Sequence, residues 1–229
     1  KGKNSGDGFL LGAYAKEFGL KVTVVMSNSH KDLKGVTRKA FNEMKESNVK
    51  VISSKSLKNH RISKNAVLVD ALLGTGLKGS LRKNIKDSIL VLNQLGMKIP
   101  VVSLDIPSGV NPDTGNAADA YVLADITTSF VAQKRGCFTS HGKKASGEVF
   151  YSDLDIPKKL FSEVSSTSSI INYENSMGRV IYREEDAHKG NFGHVVVVGG
   201  DRGFGGAGIL CSKAAVYSGS GLTSLVTRP

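Results

Sequence analysis

The stretch Ala66–Leu73 (AVLVDALL) is apolar at every position but Asp70. So unbroken an apolar run over so short a length predicts a strand buried on both faces, as in a parallel sheet covered by helices. The rest of the chain agrees. Lys21–Met26, Val49–Ile52, Ile99–Leu104 and Ile126–Val131 read as further strands. Between them, Leu10, Tyr14 and Phe18, then Val36, Ala40 and Met44, then Ile85, Ile89 and Leu92 recur at helical spacing. Strand and helix in strict alternation predict an α/β fold with a mostly parallel sheet between two helical layers.

Composition limits what such a fold can be doing. With 229 residues, 40% of them hydrophobic, the chain has enough apolar mass for a large domain and part of a second. The net charge of +11 permits nucleic acid, yet the lysines are scattered and no aromatic residues interleave with them. A solvated basic surface that meets phosphates is the preferred reading, with no nucleic-acid partner. Cys137 and Cys211 are far apart and lack metal-ligand spacing, which suits reduced thiols in the cytoplasm. No run approaches the roughly 20 apolar residues of a membrane span. The opening residues are a glycine-rich loop of the kind that follows a strand, and the last lie just past an apolar run, so both ends read as truncated. Composition shifts after Asp155, and Ser162–Ser169 is serine-rich. The expected division is a first domain over 1–160, a linker over 161–177 and the start of a second domain over 178–229.

The chemistry should lie in loops at strand ends, where open parallel sheets bind ligands. Gly2–Gly8 (GKNSGDG) is read as a loop before a helix, suited to a pyrophosphate, with Asp7 as the ordinary alternative N-cap. Asp70 is costly inside its apolar run unless paired or bound to a cation, and Gly74-Thr75-Gly76-Leu77-Lys78-Gly79 follows it. Asp105-Ile106-Pro107-Ser108-Gly109 ends another strand. Oxygen donors from Asn4, Asp70 and Ser108 would suit a hard cation if they converge. Lys134 lies just past the strand at Ile126–Val131, a place that suits a phosphate contact or plain surface. His188 and His194 flank a turn and read as turn contacts rather than metal ligands. A glycine loop over Gly199–Gly208 between a strand and a helix forms a second phosphate-friendly site.

Taken in order, these motifs resemble the YjeF-type NAD(P)H-hydrate repair family. The family's G-x-G-N-N-G-G-D-G loop corresponds to Gly2–Gly8, with Lys3 and Ser5 as departures. Its D-x-x-x-G-x-G loop begins at Asp70, its D-I-P-S-G loop is intact at Asp105–Gly109, and its T-x-x-x-x-x-K-x-G element runs from Thr128 to Gly136. His188–Pro229 is similar to the opening of the family's dehydratase domain. The resemblance implies a Rossmann-like three-layer epimerase domain followed by the start of a ribokinase-like α/β domain. It implies potassium held by Asn4, Asp70 and Ser108, and Asp105 as the catalytic residue. The substrate NADHX or NADPHX would contact Lys3, Asn4, Ser5, Gly6, Asp7, Gly74, Thr75, Gly76, Leu77, Lys78, Gly79, Ser80 and Asp105, with Ala207 in the second domain. The full-length protein would also dehydrate the S hydrate using ADP or ATP with Mg2+, through elements lying mostly beyond this chain. A homo-oligomer is compatible with it.

Two other functions compete. A Rossmann oxidoreductase would use Gly74–Gly79 for pyrophosphate and Asp105 for ribose, which leaves Asp70 unexplained. A noncatalytic, RNA-associated scaffold on the same fold is permitted by the charge.

Overall fold

The computed structural model describes residues 2–59, 62–76, 79–164, 166, 168–178 and 182–228. The chain forms two units that divide between Ser168 and Ser169.

In the first unit the chain enters directly into helix α1 (Lys3–Glu17), capped by the extended Gly2. Gly2–Gly8 is therefore the start of a helix and not a loop, and Asp7 does not cap it. The buried side of α1 carries Asn4, Phe9, Gly12 and Ala13. The expected face is wrong: Tyr14 and Phe18 are 52% and 87% exposed. Large side chains mark a face only where neighbours leave room for them, and here the closest approach is made by glycines. A Cβ on Gly8 would lie 2.5 Å from that of Ala71, and Gly12 packs on Val24 and Met44.

Helix α2 (Gly35–Glu46) lies against α1, with Phe9 meeting Phe41 edge to face at 5.3 Å. Strands β1 (Thr23–Met26) and β2 (Lys50–Ser53) form a parallel pair beneath them. Phe9, Ala13, Ala40, Phe41, Met44 and Val49 make this part of the core. Of the predicted face of α2, Ala40 and Met44 are buried but Val36 is exposed.

Four more strands, β3 (Leu68–Asp70), β4 (Val101–Leu104), β5 (Ile126–Phe130) and β6 (Glu148–Ser152), pair in that order, all parallel. Helix α3 (Lys83–Gly96) packs Ile85 and Ile89 onto Val101 and Val122. The long apolar run thus becomes a strand of three residues, with Val67 and Val69 left 58% and 42% exposed. Asp70 sets its far end: its Oδ1 accepts the Leu72 N–H at 3.1 Å, turning the chain out of the ladder. Strand β6 was not anticipated. It lies at the end of the strand order, and Phe150 and Tyr151 remain half exposed, so no clean alternation announces it. Helix α4 (Ser140–Ala145) completes the packing below Ile106 and Val110.

The second unit holds helix α6 (Tyr173–Met177), which follows the short α5 (Lys158–Ser162) of the first unit. It then forms one strand–helix–strand crossover: β7 (His194–Val198), α7 (Gly205–Tyr217) and β8 (Leu222–Val226), with β7 and β8 parallel. Gly208 is the one buried residue among those described in this unit.

Candidate functional site

The apolar sequence around Asp70 delivers a carboxylate with no exposure at all to the end of β3. It is held by four donors. Leu72 N–H and Ser108 O–H reach Oδ1 at 3.1 and 2.6 Å, while Ser103 O–H and Ser108 N–H reach Oδ2 at 3.0 and 2.8 Å. Burial pushes its carboxyl above the usual carboxylate range, and the bonds from Ser108, Leu72 and Ser103 pull the other way. Among the described residues no cation offsets this charge.

Asn4, on the first turn of α1, is carried to the same place. Its Nδ2 donates to the Leu73 carbonyl at 2.8 Å, the carbonyl that Ser108 Oγ also approaches at 3.1 Å. Its Oδ1 is buried and has no hydrogen-bond partner. Ser5 Oγ donates to the Ala71 carbonyl at 3.3 Å. The oxygens of Asn4, Asp70 and Ser108 are thus brought around Leu73, with one acceptor orphaned and one carboxylate uncompensated. That oxygen donor set fits a hard cation.

The next strand carries a second constellation. Asp105 follows β4 directly with φ +69, and the Ile106 N–H donates to the Leu104 carbonyl at 2.9 Å. A bond across three residues with positive φ at the centre is the strained γ-turn. Asp105 Oδ1 accepts from Lys134 Nζ and from the Phe130 N–H at 3.3 Å. Lys134 also donates to the Phe130 carbonyl at 2.6 Å. Both partners retain some access, at 17% for Asp105 and 16% for Lys134. One strand over, Val131 repeats the turn, with φ +66 and the Ala132 N–H on the Phe130 carbonyl at 2.7 Å. Tyr151 O–H donates to the Val131 carbonyl at 2.9 Å. Asp7 is also near: burial first, then repulsion from Asp105, raises its carboxyl above the ordinary value.

The loop between the two constellations is tightly built. Ile106, Pro107 and Ser108 are buried, and Ser108 ties the loop to Asp70. Gly109 has φ +96, and a Cβ there would come within 2.3 Å of the Ala120 carbonyl.

The other predicted site residues are placed less uniformly. Gly74 lies beside Asn4, while Thr75, Gly76, Gly79 and Ser80 form an exposed stretch after it. Leu77 and Lys78 lie outside the described residues. Lys3 is exposed, and Gly6 faces Thr37 on α2 and serves helix packing. Ala207 is exposed at the start of α7 in the second unit. His188 caps a turn by accepting the Gly190 N–H at 3.1 Å, and His194 Nε2 meets Ser224 Oγ at 2.8 Å; among the described residues neither belongs to a group of three metal-binding side chains.

The sequence profile of the family described as YjeF-related protein N-terminus matches residues 1–136. The chain belongs to that family. Across its whole length it is 37% identical to the "Bifunctional NAD(P)H-hydrate repair enzyme Nnr" of Coxiella burnetii, of which it covers 46%. It is 34% identical to the "Bifunctional NAD(P)H-hydrate repair enzyme" of Leishmania infantum, covering 41% of it. To the Escherichia coli K12 Nnr it is 32% identical over 99% of the chain and 43% of the relative. The chain therefore spans less than half the length of these curated relatives. A crystal structure of the yeast protein YNL200c superposes with a TM-score of 0.60 at 20% identity, covering 73% of this chain and 71% of the yeast chain. The Rossmann-like parallel α/β fold expected of the YjeF-related domain is the fold observed.

Within the first unit, sequence reading undervalued Lys134 and missed Tyr151. Lys134 carried a signal, its place just past a strand, but only the structure shows its contact with Asp105. Tyr151 carried none, because it acts from the unanticipated β6.

Proposed function

We propose that this chain is the epimerising part of a nicotinamide-dinucleotide repair enzyme, interconverting the R and S forms of hydrated NADH or NADPH. The observation that carries the reading is Asp105: an accessible carboxylate at a strand end, held by a strained turn and paired with Lys134. The relatives' names supply the substrate class.

The reaction asks for one proton, delivered and taken back. The hydrated ring carbon bears a hydroxyl and is bonded to the ring nitrogen. Protonation of the hydroxyl lets the nitrogen lone pair expel water and leaves a planar carbon. Water then adds to the opposite face and loses a proton, so the C–O bond that broke is reformed with no net redox change. Asp105 performs both transfers as general acid and base. Both bonds it accepts fall on Oδ1, which leaves Oδ2 for the substrate. Lys134 fixes that orientation. Asn4, Asp70 and Ser108 would hold potassium, which supplies positive charge against the buried Asp70 carboxylate and stiffens the Ser108 loop.

A second activity, dehydration of the S hydrate at the expense of ADP or ATP with Mg2+, belongs in this proposal to the longer protein and a ribokinase-like domain opening near residue 178. The step derived for Asp105 calls on neither nucleotide nor magnesium.

The test is turnover of the R hydrate to the S hydrate by the purified chain. Asp105→Asn should lose epimerisation by about 10²–10⁴-fold with its circular dichroism unchanged. Near-normal activity of that variant would remove Asp105 from the role. Hydride transfer with ordinary NADH, or salt-dependent RNA binding without epimerisation, would overturn the reading in favour of an oxidoreductase or a scaffold.

A further inference from the structure

The sites above leave the β1–β2 pair without a task, yet a cleft of about 420 Å³ opens at the carboxyl ends of these two strands. That volume falls within the range of small-molecule sites. Met26, Val51 and Ile52 form its apolar part, and Ser27, Asn28, Ser29, His30, Ser53 and Lys55 its polar part. Among the described residues no carboxylate lines it.

The hydrogen bonds turn this lining into a set of donors. Asn84 Nδ2 donates to the Ser27 carbonyl at 2.8 Å and to Asn28 Oδ1 at 2.7 Å. With its oxygen taken, Asn28 has its amide N–H groups left to offer. Ser29 Oγ accepts the Lys31 N–H and Ser53 Oγ the Lys55 N–H, at 3.2 and 3.3 Å. Each hydroxyl therefore keeps its proton to donate. The exposed Lys55 adds an ammonium.

Position gives this donor set a ligand. In a dinucleotide-binding fold, the strand after the first helix ends about 20 residues past the glycine turn, where an acid would bind the ribose 2′-hydroxyl and a basic group a 2′-phosphate. Asn28 stands just past β1, the strand that follows α1, with no acid among the described lining residues and Lys55 in the same cleft. The wall is also fixed to the substrate side: Asn84 and Ser88 of α3 hold Ser27 and Asn28, and the Gly74–Ser80 segment leads into α3.

We infer that the cleft at the carboxyl ends of β1 and β2 binds the 2′-phosphate of the adenosine end of a phosphorylated dinucleotide, through Asn28, Ser29, Ser53 and Lys55. This rests on the epimerase reading and makes hydrated NADPH the preferred substrate over hydrated NADH.

Calorimetric titration tests it with adenosine 2′,5′-bisphosphate and adenosine 5′-monophosphate. The bisphosphate should bind about ten-fold tighter, and Lys55→Ala should remove most of that advantage. Lys98→Ala, an exposed lysine outside the cleft, should leave the advantage in place. Equal binding of the two probes, or an equal loss in both variants, overturns the inference. Kinetics separate it from the reading beneath it. With the site correct, the ratio of kcat/KM for the NADPH hydrate to that for the NADH hydrate falls several-fold in Lys55→Ala. If both hydrates turn over and that ratio is untouched, the cleft assignment fails and the epimerase stands. If neither hydrate turns over while the bisphosphate preference and its dependence on Lys55 persist, the site stands and the epimerase reading fails.

Discussion

Asp105 and Val131 hold backbone angles that side-chain-bearing residues avoid, and they do so on neighbouring strands. Such a conformation costs on the order of 1–3 kcal/mol and persists only where its surroundings insist on it. Here they do, because Lys134 bridges Asp105 to the Phe130 carbonyl and Tyr151 holds the Val131 carbonyl. Val131→Gly should therefore raise thermal stability by about 1 kcal/mol, read as an increase in Tm. Lys134→Met should lower kcat about 100-fold by freeing the Asp105 carboxylate to turn. Asp70 supplies a pH test. Its folded carboxyl binds a proton more tightly than the unfolded one, so the ion-free chain gains stability as pH falls from the raised folded value toward the ordinary one. Potassium, in the proposed site, would bind the ionised form. The rise in Tm between choline chloride and potassium chloride should be present at neutral pH, vanish as pH falls through the folded value, and be absent in Asp70→Asn.

At the level of elements, α1 places Asn4, Ser5 and Asp7 because glycines let it settle close to its neighbours. Gly8→Ala must push Ala71 aside, since the new Cβ would stand 2.5 Å from that residue's own. The expected cost is about 1–3 kcal/mol in urea unfolding. Potassium-dependent stabilisation should weaken with it, because Ala71 is two residues from Leu73, whose carbonyl anchors Asn4. Gly2→Ala meets nothing within 4 Å and loses only the preference for glycine at the helix N-cap, about 0.5–1 kcal/mol with no change in potassium-dependent stabilisation, which makes it the control.

For the whole molecule, the two units differ in kind. The first has three clusters of buried apolar residues. The second buries Gly208 alone among its described residues, with Val196, Leu210 and Tyr217 at 55%, 69% and 87% exposure. Amides of β7 and β8 should accordingly exchange hydrogen faster than those of β4 in native-state exchange. The purified chain should show no ADP-dependent dehydration of the S hydrate. No described helix is long and apolar enough to cross a membrane.

Much of this was legible in the residues. Apolar runs and helical spacing specified the alternation of elements, since period and burial are tied by backbone geometry. Asp70 announced itself because a lone carboxylate in an apolar run needs an explanation, and the Asp105–Gly109 loop because it closes a strand. The face of α1 was not legible: large side chains are visible in a sequence, whereas the room left by Gly8 and Gly12 exists only once Ala71 and Val24 are in place. The pairing of Asp105 with Lys134 was likewise decided by tertiary structure, because 29 residues separate them in the chain and only the adjacency of β4 and β5 closes that distance. The sequence by itself determined which chemical groups stand at the strand ends. The packing of strands and helices decided which of them meet, because a contact between distant residues depends on the path of everything between them.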